Sequence, residues 1–480
     1  MHCSRPLRCI LKLNIYNRSG KKVLRLYNSL SRKKEEFIPI IDGKINLYTC
    51  GPTVYDVAHI GNFRTFLFED FLKRVLIARG FDVYHVMNIT DVDDKTIQKA
   101  LAEGKSLSDI TEYYTNLFMK DLSILKIIPA DVYPAATEHV DGMIQMIQQL
   151  IEKNHAYLTQ DGSVYFSIKS FKDYGSLTNI KMSEMQHSDR VSSDEYSLDN
   201  PQDFALWKAY KDEDGDVCWE SPWGKGRPGW HMECSAMSME YLGNHFDIHC
   251  GGVDNKFPHH ENEIAQSVCA KDTPFVNYWL HSEFLLVDGG KMSKSIGNYY
   301  CVSDLIEKGM MPEEIRYILL SAHYRTKVNF TIEKQHEAKK GIQRIIELRA
   351  RLNEINDNMD NDLPLEAEAF NNALDDDLDS PKALGIFFEW VRSVNSALDK
   401  KTISDKQSSQ GLNFITYFDS IYSILPASDS VPQSVIDLAN EREITRQNKE
   451  WGKADILREE ILKKGWIVKD TIDGPKFSRK

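Results

Sequence analysis

The sequence lacks the features of a membrane protein and of a small secreted one. No segment reaches about 18 consecutive apolar residues, the length that a membrane-spanning helix requires. Only 8 of the 480 residues are cysteines, too few for a disulfide scaffold. These absences favour a reducing compartment, in which thiols stay free for metal binding or chemistry.

Positive charge is also scarce, because 59 basic residues face 71 acidic ones and the formal net charge is -12. This balance excludes a generally cationic protein that binds nucleic acid without specificity, but it permits a local basic path for RNA. Residues 1–34 are the exception, with ten lysines and arginines and no acidic residue. We interpret residues 1–23 as a basic N-terminal extension or a misplaced start, with an organellar transit peptide as the alternative.

The length and the apolar patterns predict several domains. A β-prone run at 45–50 precedes a helical pattern from Asn62 to Arg79 and a second β-prone run at 81–90. Strand, helix and strand within about 45 residues are typical of a parallel α/β sheet. Residues 160–225 look irregular, as an insertion would, and the pattern after about residue 305 is helical.

The segment GPTVYDVAHIGN places His59, Gly61 and Asn62 where that helix should begin. The free N–H groups of a helix N-terminus suit phosphate, and a glycine lets a nucleotide approach the backbone closely. A capping turn with a core histidine would explain the same string. The segment alone therefore does not decide between the two interpretations.

Lys291 and Lys294 lie in the string KMSKS, directly after two glycines. Two lysines three residues apart on such a loop can reach one polyphosphate, although a solvated basic turn has the same composition. The combination of this loop with the His59 segment, about 230 residues away across an α/β unit, favours an ATP site.

The string PHHENE offers His259 and Glu263 four residues apart, on one face of a helix, which suits a metal ion. Cys50 and Cys234 could add two thiolates and complete a set of zinc donors. Two alternatives stay open: His260 could replace His259, and Cys234 could be a small buried apolar residue. The acidic strings VMNITDVDDK and DDDLDSPKAL are better explained as helix caps than as metal sites.

The C-terminal stretch 435–480 combines cations with two tryptophans. Its helical positions carry Arg442, Arg446, Lys449, Lys453, Arg458, Lys463 and Lys464. Such cations can hold phosphates, and an exposed Trp451 or Trp466 could stack on an unpaired base. A core position is the alternative, above all for Trp451. Because Trp466 follows Gly465, we expect a helix to end there and a strand to begin.

Six strings together resemble class I cysteinyl-tRNA synthetases in order and spacing, from about Leu24 to Lys480. They are YTCGPTVYDVAHIGNFRT, NITDVDDK, GRPGWHMECSAM, FPHHENEIAQS, KMSKSIGN and DDDLDSPKAL. The resemblance implies an α/β fold, with a Rossmann-type catalytic domain split by a connective insertion, then an α-helical bundle and a small C-terminal anticodon-binding domain.

Carried onto this sequence, the resemblance implies seven segments. They are the extension 1–23, the first catalytic half 24–130, the connective insertion 131–225, the second catalytic half with the zinc site 226–278, the KMSKS loop and stem-contact region 279–335, the helical bundle 336–430 and the anticodon-binding domain 431–480.

The resemblance also implies residue roles, and here it chooses His259 over His260. The zinc ligands would be Cys50, Cys234, His259 and Glu263. The catalytic residues would be His59, Asn62, Lys291 and Lys294. ATP would contact Gly51, His59, Gly61, Asn62, His249, Asp254 and Lys294. Gly51, Thr90 and Trp230 would line the cysteine pocket.

The implied reaction is ATP-dependent activation of L-cysteine and its transfer to the 3′-terminal ribose of tRNA(Cys). One Zn²⁺ per chain would select the thiolate, and Mg²⁺ would accompany ATP. We expect a monomer without membrane contact in the cytoplasm, or in an organelle if residues 1–23 are a transit peptide. The alternative is a zinc-dependent ligase that joins cysteine to a small amine, which should lack the 435–480 unit.

Two positions depart from the family pattern. Asn62 stands where many class I enzymes have a second histidine, and because asparagine still donates a hydrogen bond we expect little loss. Cys250 stands where the family often has glycine. Its Cβ should tighten the nucleotide pocket, and its backbone must avoid positive φ.

Overall fold

The computed structural model describes residues 23–179, 203–290, 292, 297–355, 362–426, 433–471 and 474–479. The chain divides into two compact units, Met1–Ile424 and Leu425–Lys480. Within the described ranges, every helix is too short or too polar to cross a membrane.

A parallel sheet of four strands forms the centre of the first unit. Its order is β10-β9-β3-β4, with β3 at Lys44–Thr49, β4 at Asp82–Met87, β9 at Phe246–Gly252 and β10 at Val276–Ser282. Helix α1 (Ile60–Ala78) connects β3 to β4. The predicted strand–helix–strand unit is therefore confirmed. Every residue of β9 is buried, as expected of a parallel strand covered on both faces.

The insertion is more regular than its sequence indicates. Four short strands form a separate antiparallel sheet in chain order: β5 (Ala156–Leu158), β6 (Val164–Phe166), β7 (Phe204–Ala209) and β8 (Gly226–Pro228). The expectation of an irregular segment was wrong here, because three of the four strands have only three residues, too few to show alternation. That this segment does not continue the parallel sheet is confirmed.

The other elements of the first unit surround these two sheets. They are β1 (Arg25–Asn28), β2 (Lys33–Glu36), α2 (Asp94–Glu103), α3 (Leu107–Ile124), α4 (Val140–Glu152), α5 (Trp230–Leu242), α6 (Glu261–Lys271), β11 (Leu285–Val287), α7 (Val302–Glu307), α8 (Pro312–Leu320) and β12 (Val328–Phe330). Strands β1 and β2 pair with each other, and β11 pairs with β12 in parallel.

The helical part expected after residue 305 includes four long helices. They are α9 (Lys334–Asn353), α10 (Glu366–Asp375), α11 (Ser380–Asp399) and α12 (Asp405–Tyr422). Aromatic side chains fill their core, where the rings of Phe387 and Phe418 stack with centroids 3.7 Å apart and Phe370 packs edge-on against Phe414. This packing explains the apolar periodicity of the segment.

The second unit contains two helices and a hairpin: α13 (Gln433–Gln447), α14 (Trp451–Lys463), β13 (Trp466–Thr471) and β14 (Gly474–Arg479). Gly465 has φ +80°, and the predicted change from helix to strand at this point is confirmed. Trp466 is buried in a small core with Val435, Ile461 and Val468.

Candidate active site

The polar residues collect at the carboxyl ends of the parallel strands, where α/β sheets bind ligands. Cys50 and Gly51 directly follow β3. The Gly51 N–H donates to Asn88 Oδ1 at 2.9 Å, and Asn88 Nδ2 donates to the Thr90 hydroxyl at 3.1 Å. The Thr90 hydroxyl donates in turn to Glu233 Oε2 at 2.9 Å. Two residues predicted to line the cysteine pocket are thus connected through one asparagine.

Gly51 is constrained by a close backbone contact, because a Cβ there would lie 1.6 Å from the carbonyl oxygen of Asn88. We expect Gly51→Ala to lower the free energy of unfolding by about 1–3 kcal/mol or more, because overpacking has a cost of this size. Gly385 is the matched control, because a Cβ there meets no atom within 4 Å. Urea denaturation should show Gly385→Ala to be neutral or stabilising, and equal stability of the two variants would contradict this account.

Four donors from distant parts of the chain converge beside Gly51. The side-chain donor atoms of Cys50, Cys234, His259 and Glu263 all lie within 4.8 Å of one another. Cys234 comes from α5 and Glu263 from α6. Glu263 Oε1 is buried and lies 3.1 Å from His259 Nε2, so two of the four donors are already in contact. Two sulfurs, an imidazole and a carboxylate form a donor set that fits zinc.

A second group overlaps the first. Cys50, His249, His260 and Glu263 satisfy the same distance criterion. His260 Nε2 lies 3.2 Å from Cys50 Sγ, and His249 Nε2 lies 2.9 Å from Glu263 Oε2. Geometry therefore brings both His259 and His260 within reach of a metal ion, and the choice of His259 stays a prediction.

Two histidines at this site, His231 and His259, are buried and neutral. His231 Nδ1 lies 2.9 Å from His259 Nδ1, and burial lowers the pKa of both rings to about 3. Neutral imidazole is the form that binds metals. A hydrogen bond to Nδ1 directs Nε2 towards an ion, so His231 would orient His259. Sequence reasoning missed His231, whose one signal is its place three residues before Cys234.

Trp230 extends the cluster towards solvent. Its half-buried ring stacks on His259, with centroids 4.3 Å apart and an interplanar angle of 25°. An aromatic wall against a candidate ligand suits a small substrate side chain. This position fits the predicted role of Trp230 as a residue that lines the cysteine pocket.

The N-terminus of α1 is closed by a reciprocal cap. His59 Nδ1 accepts from the Asn62 N–H, and Asn62 Oδ1 accepts from the His59 N–H, both at 3.1 Å. The capping turn is thus present, but His59 is half-exposed and not a core residue. Because Nδ1 accepts, the proton of the neutral ring lies on Nε2, and the Asn62 amide keeps its NH₂ donors. Capping and phosphate binding are compatible here.

The remaining predicted residues are spread around this site. Asp254 is exposed just after β9, whereas His249 is fully buried against Glu263, so its contact with ATP stays a prediction. Cys250 adopts a regular strand conformation in β9 and not a positive φ. Its predicted effect on the nucleotide pocket is untested. Lys291 and Lys294 lie outside the described residues.

Met292 shows where the KMSKS string meets α1. A Cβ on Gly61 would lie 2.4 Å from Met292 Cε, so the methionine occupies the space that glycine leaves. The two strings that the sequence separates by about 230 residues are therefore in contact, as an ATP site built from both requires.

Comparison with known proteins agrees with this architecture. Residues 36–340 match the family of tRNA synthetases class I (C) catalytic domains, and residues 369–425 match the DALR domain. A methionyl-tRNA synthetase of Mycobacterium tuberculosis, solved with methionyl-adenylate, aligns with a TM-score of 0.57 at 13% identity, over 82% of this chain and 94% of that one. At this identity the likeness shows the fold alone, which is the predicted class I synthetase fold.

Several curated relatives are cysteine–tRNA ligases. The cysteine–tRNA ligase of Chlamydia muridarum is 48% identical over 473 residues, covering 95% of this chain and 99% of the relative. That of Brachyspira hyodysenteriae is 47% identical over 476 residues, covering 96% of this chain and 100% of the relative. The predicted resemblance is confirmed, and the chain belongs to the cysteine–tRNA ligase family of class I aminoacyl-tRNA synthetases.

Proposed function

We propose that this cysteine–tRNA ligase selects its amino acid through one Zn²⁺ held by Cys50, Cys234, His259 and Glu263. The convergence of these four donors beside Trp230 and Thr90 carries the proposal. When bound, zinc supplies a preference for the thiolate of cysteine over the hydroxyl of serine, which shape alone cannot supply.

The protein's own residues hold the substrate in this pocket. Trp230 limits its width, and the Thr90 hydroxyl, fixed between Asn88 and Glu233, gives it a polar wall. The Gly51 backbone lets the substrate approach the end of β3. Holding the reacting groups in place converts a bimolecular reaction into an effectively unimolecular one.

In the first step, the cysteine carboxylate attacks the α-phosphate of ATP, which gives cysteinyl-adenylate and releases pyrophosphate. This step needs positioning and charge stabilisation, not a protein nucleophile. His59 Nε2–H and the Asn62 NH₂ group donate to the transferring phosphate at the N-terminus of α1, whose dipole favours negative charge. Lys291 and Lys294 neutralise the departing pyrophosphate, and the Mg²⁺ that accompanies ATP would supply further positive charge there. A terminal ribose hydroxyl of tRNA(Cys) then takes the cysteinyl group.

The domain boundaries predicted from the sequence belong to this proposal. Residues 279–335 would contact the tRNA stem, and 431–480 would contact the anticodon. The described cysteines are all free, which supports a reducing compartment, the cytoplasm. We further propose that the protein acts as a monomer.

The second unit offers fewer free cations than its sequence indicates. Arg442 is buried and bonds Asp470 with both terminal nitrogens, at 2.6 and 3.1 Å, and Arg446 pairs with the same carboxylate. These arginines brace β13 against α13. By contrast, Trp451 is 59% exposed at the start of α14. Of the two tryptophans, Trp451 is therefore the one exposed enough to stack on a base.

We expect Trp451→Ala to raise KM for tRNA roughly tenfold, because base stacking contributes about 1–3 kcal/mol per base. Cysteine-dependent ATP–pyrophosphate exchange should be unchanged, since the substitution removes no ATP or cysteine contact. Ile456→Ala is the control, an apolar residue of α14 that is 61% exposed. Equal KM values for the two variants would show that Trp451 does not contact tRNA.

Two activities test the function as a whole. Exchange of pyrophosphate into ATP should require cysteine and not tRNA, and charging should require tRNA(Cys). An enzyme that exchanges with cysteine but charges a small amine in place of tRNA would contradict the proposal.

A further inference from the structure

The acidic turn 375–379 joins α10 to α11 and has an unusual backbone. Asp377 and Leu378 have φ +64° and +55°, so two successive non-glycine residues adopt the left-handed conformation. Such conformations persist only where surrounding contacts determine them. Asp379 accepts from the Lys382 N–H and caps α11, as the sequence predicted. The other aspartates of the turn have partners far along the chain.

Asp375 reaches the C-terminal end of α1. Its Oδ1 accepts from Nε of Arg79, the C-cap residue of α1, at 2.6 Å. Both side chains are at least nine-tenths buried. Arg79 also donates to the Tyr417 hydroxyl at 2.9 Å and to the Asn371 carbonyl at 3.1 Å. One end of α1 is thus fixed directly to the helical bundle.

Asp377 is fully buried and holds a second set of partners. Oδ1 accepts from the Tyr324 hydroxyl at 2.6 Å and from the Tyr27 N–H at 2.8 Å. Oδ2 accepts from Nε and a terminal nitrogen of Arg325, at 2.8 and 2.6 Å. The Tyr324 ring stacks on Phe68 of α1, with centroids 4.4 Å apart and an interplanar angle of 10°.

Arg64 of α1 binds the backbone of residues 319–325, the segment that contains Tyr324 and Arg325. Its guanidinium is buried and donates to the carbonyls of Leu319, Ala322 and His323, the last at 2.8 Å. Residues 319–325 are therefore held between α1 and Asp377. Arg64 lies two residues after Asn62, in the first turns of the helix.

We propose that the acidic turn 375–379 positions α1 and thereby sets the geometry of His59 and Asn62 for adenylate formation. Asp377 acts through Tyr324, Arg325 and the 319–325 segment, and Arg64 completes the connection. These are positioning residues, because none of them contacts the reacting atoms. The inference rests on the proposed role of His59 and Asn62. A displacement of about 1 Å at a reacting centre can cost about a hundredfold in rate.

Asp377→Asn tests the connection. Asparagine has the same size and tolerates positive φ, but its NH₂ group would face the N–H donors of Arg325. We expect kcat for cysteine-dependent exchange, per titrated active site, to fall about tenfold, while KM for cysteine and zinc content stay unchanged. Asp376→Asn is the control in the same turn, since Asp376 pairs with Lys34 on the surface, both side chains more than a third exposed. It should keep the wild-type kcat.

Tyr324→Phe provides a second, milder variant that keeps the stack on Phe68 and loses only the bond to Asp377. It should lower kcat a few-fold. If Asp377→Asn does not fold, the kcat of Tyr324→Phe alone tests whether Asp377 positions α1. The inference is wrong if both variants unfold at a lower temperature but keep the wild-type kcat per active site. In that case the turn only stabilises the fold. His59→Ala is measured beside them. If that variant keeps full activity, the proposed role of the helix N-terminus fails; if it is slow while the other two are not, this inference alone fails.

Discussion

Replacing Cys234 with alanine should abolish zinc binding and lower kcat/KM for cysteine activation by about a thousandfold or more. A specific polar contact to a substrate group supplies about 10⁴–10⁵-fold discrimination, and loss of the ion removes such a contact. The readouts are the zinc content and cysteine-dependent ATP–pyrophosphate exchange of the purified variant. Folding is checked by circular dichroism, because Cys234 is 1% exposed and lies in the core of the catalytic domain.

Cys269→Ala is the matched control. Cys269 is also a buried cysteine, 4% exposed on α6, but it packs in an apolar cluster away from the four donors. This variant should keep zinc and activity. If Cys234→Ala behaves like Cys269→Ala, then Cys234 is a small core residue and the overlapping group of Cys50, His249, His260 and Glu263 is the better metal site.

Replacing Lys294 with alanine should slow pyrophosphate exchange roughly a hundredfold, with zinc content and folding intact. Loss of one charged contact to a transition-state phosphate costs on the order of 3 kcal/mol. Lys294 itself lies outside the described residues, but Met292, two residues earlier, packs against Gly61 at the N-terminus of α1. The string that contains the lysine therefore adjoins the proposed phosphate site.

Lys327→Ala controls for the loss of one positive charge, because Lys327 is an exposed residue of the same unit. Exchange by this variant should equal that of the wild type. A loss of less than about threefold on Lys294→Ala would mean that this lysine does not stabilise the departing pyrophosphate.

The elements that the sequence predicted well are those with a long, single pattern. The apolar spacing along α1 is that of a helix, which the fold buries on most sides, and the run before Cys50 is a strand of the parallel sheet. The insertion sheet was missed because β5, β6 and β8 have three residues each and pair with partners that no local pattern reveals.

The metal site was only partly predictable from spacing. His259 and Glu263 share a helix face and are visible as a pair, but nothing local connects Cys50 with Cys234, which the fold brings together from the end of β3 and from α5. The resemblance to a family supplied that connection. His231 escaped notice because its role depends on contact with His259, 28 residues away.

Charged residues were predicted least well, since their partners are set by tertiary structure. The acidic turn was interpreted as a helix cap, which holds for Asp379 but not for Asp375 or Asp377, whose cations come from α1 and the 319–325 segment. The sequence reasoning considered a core position above all for Trp451, and this expectation was wrong. In the structure, Ile461 and Val468 bury Trp466, whereas Trp451 stays exposed.

Metal analysis of the wild-type protein tests whether this ligase recognises cysteine through a single zinc ion. Protein purified gently, without chelators, is analysed for metals by plasma mass spectrometry against its concentration from amino-acid analysis. We expect one zinc per chain and no other transition metal in comparable amount. Less than about half an equivalent of zinc, in protein that still activates cysteine at full rate, would contradict it.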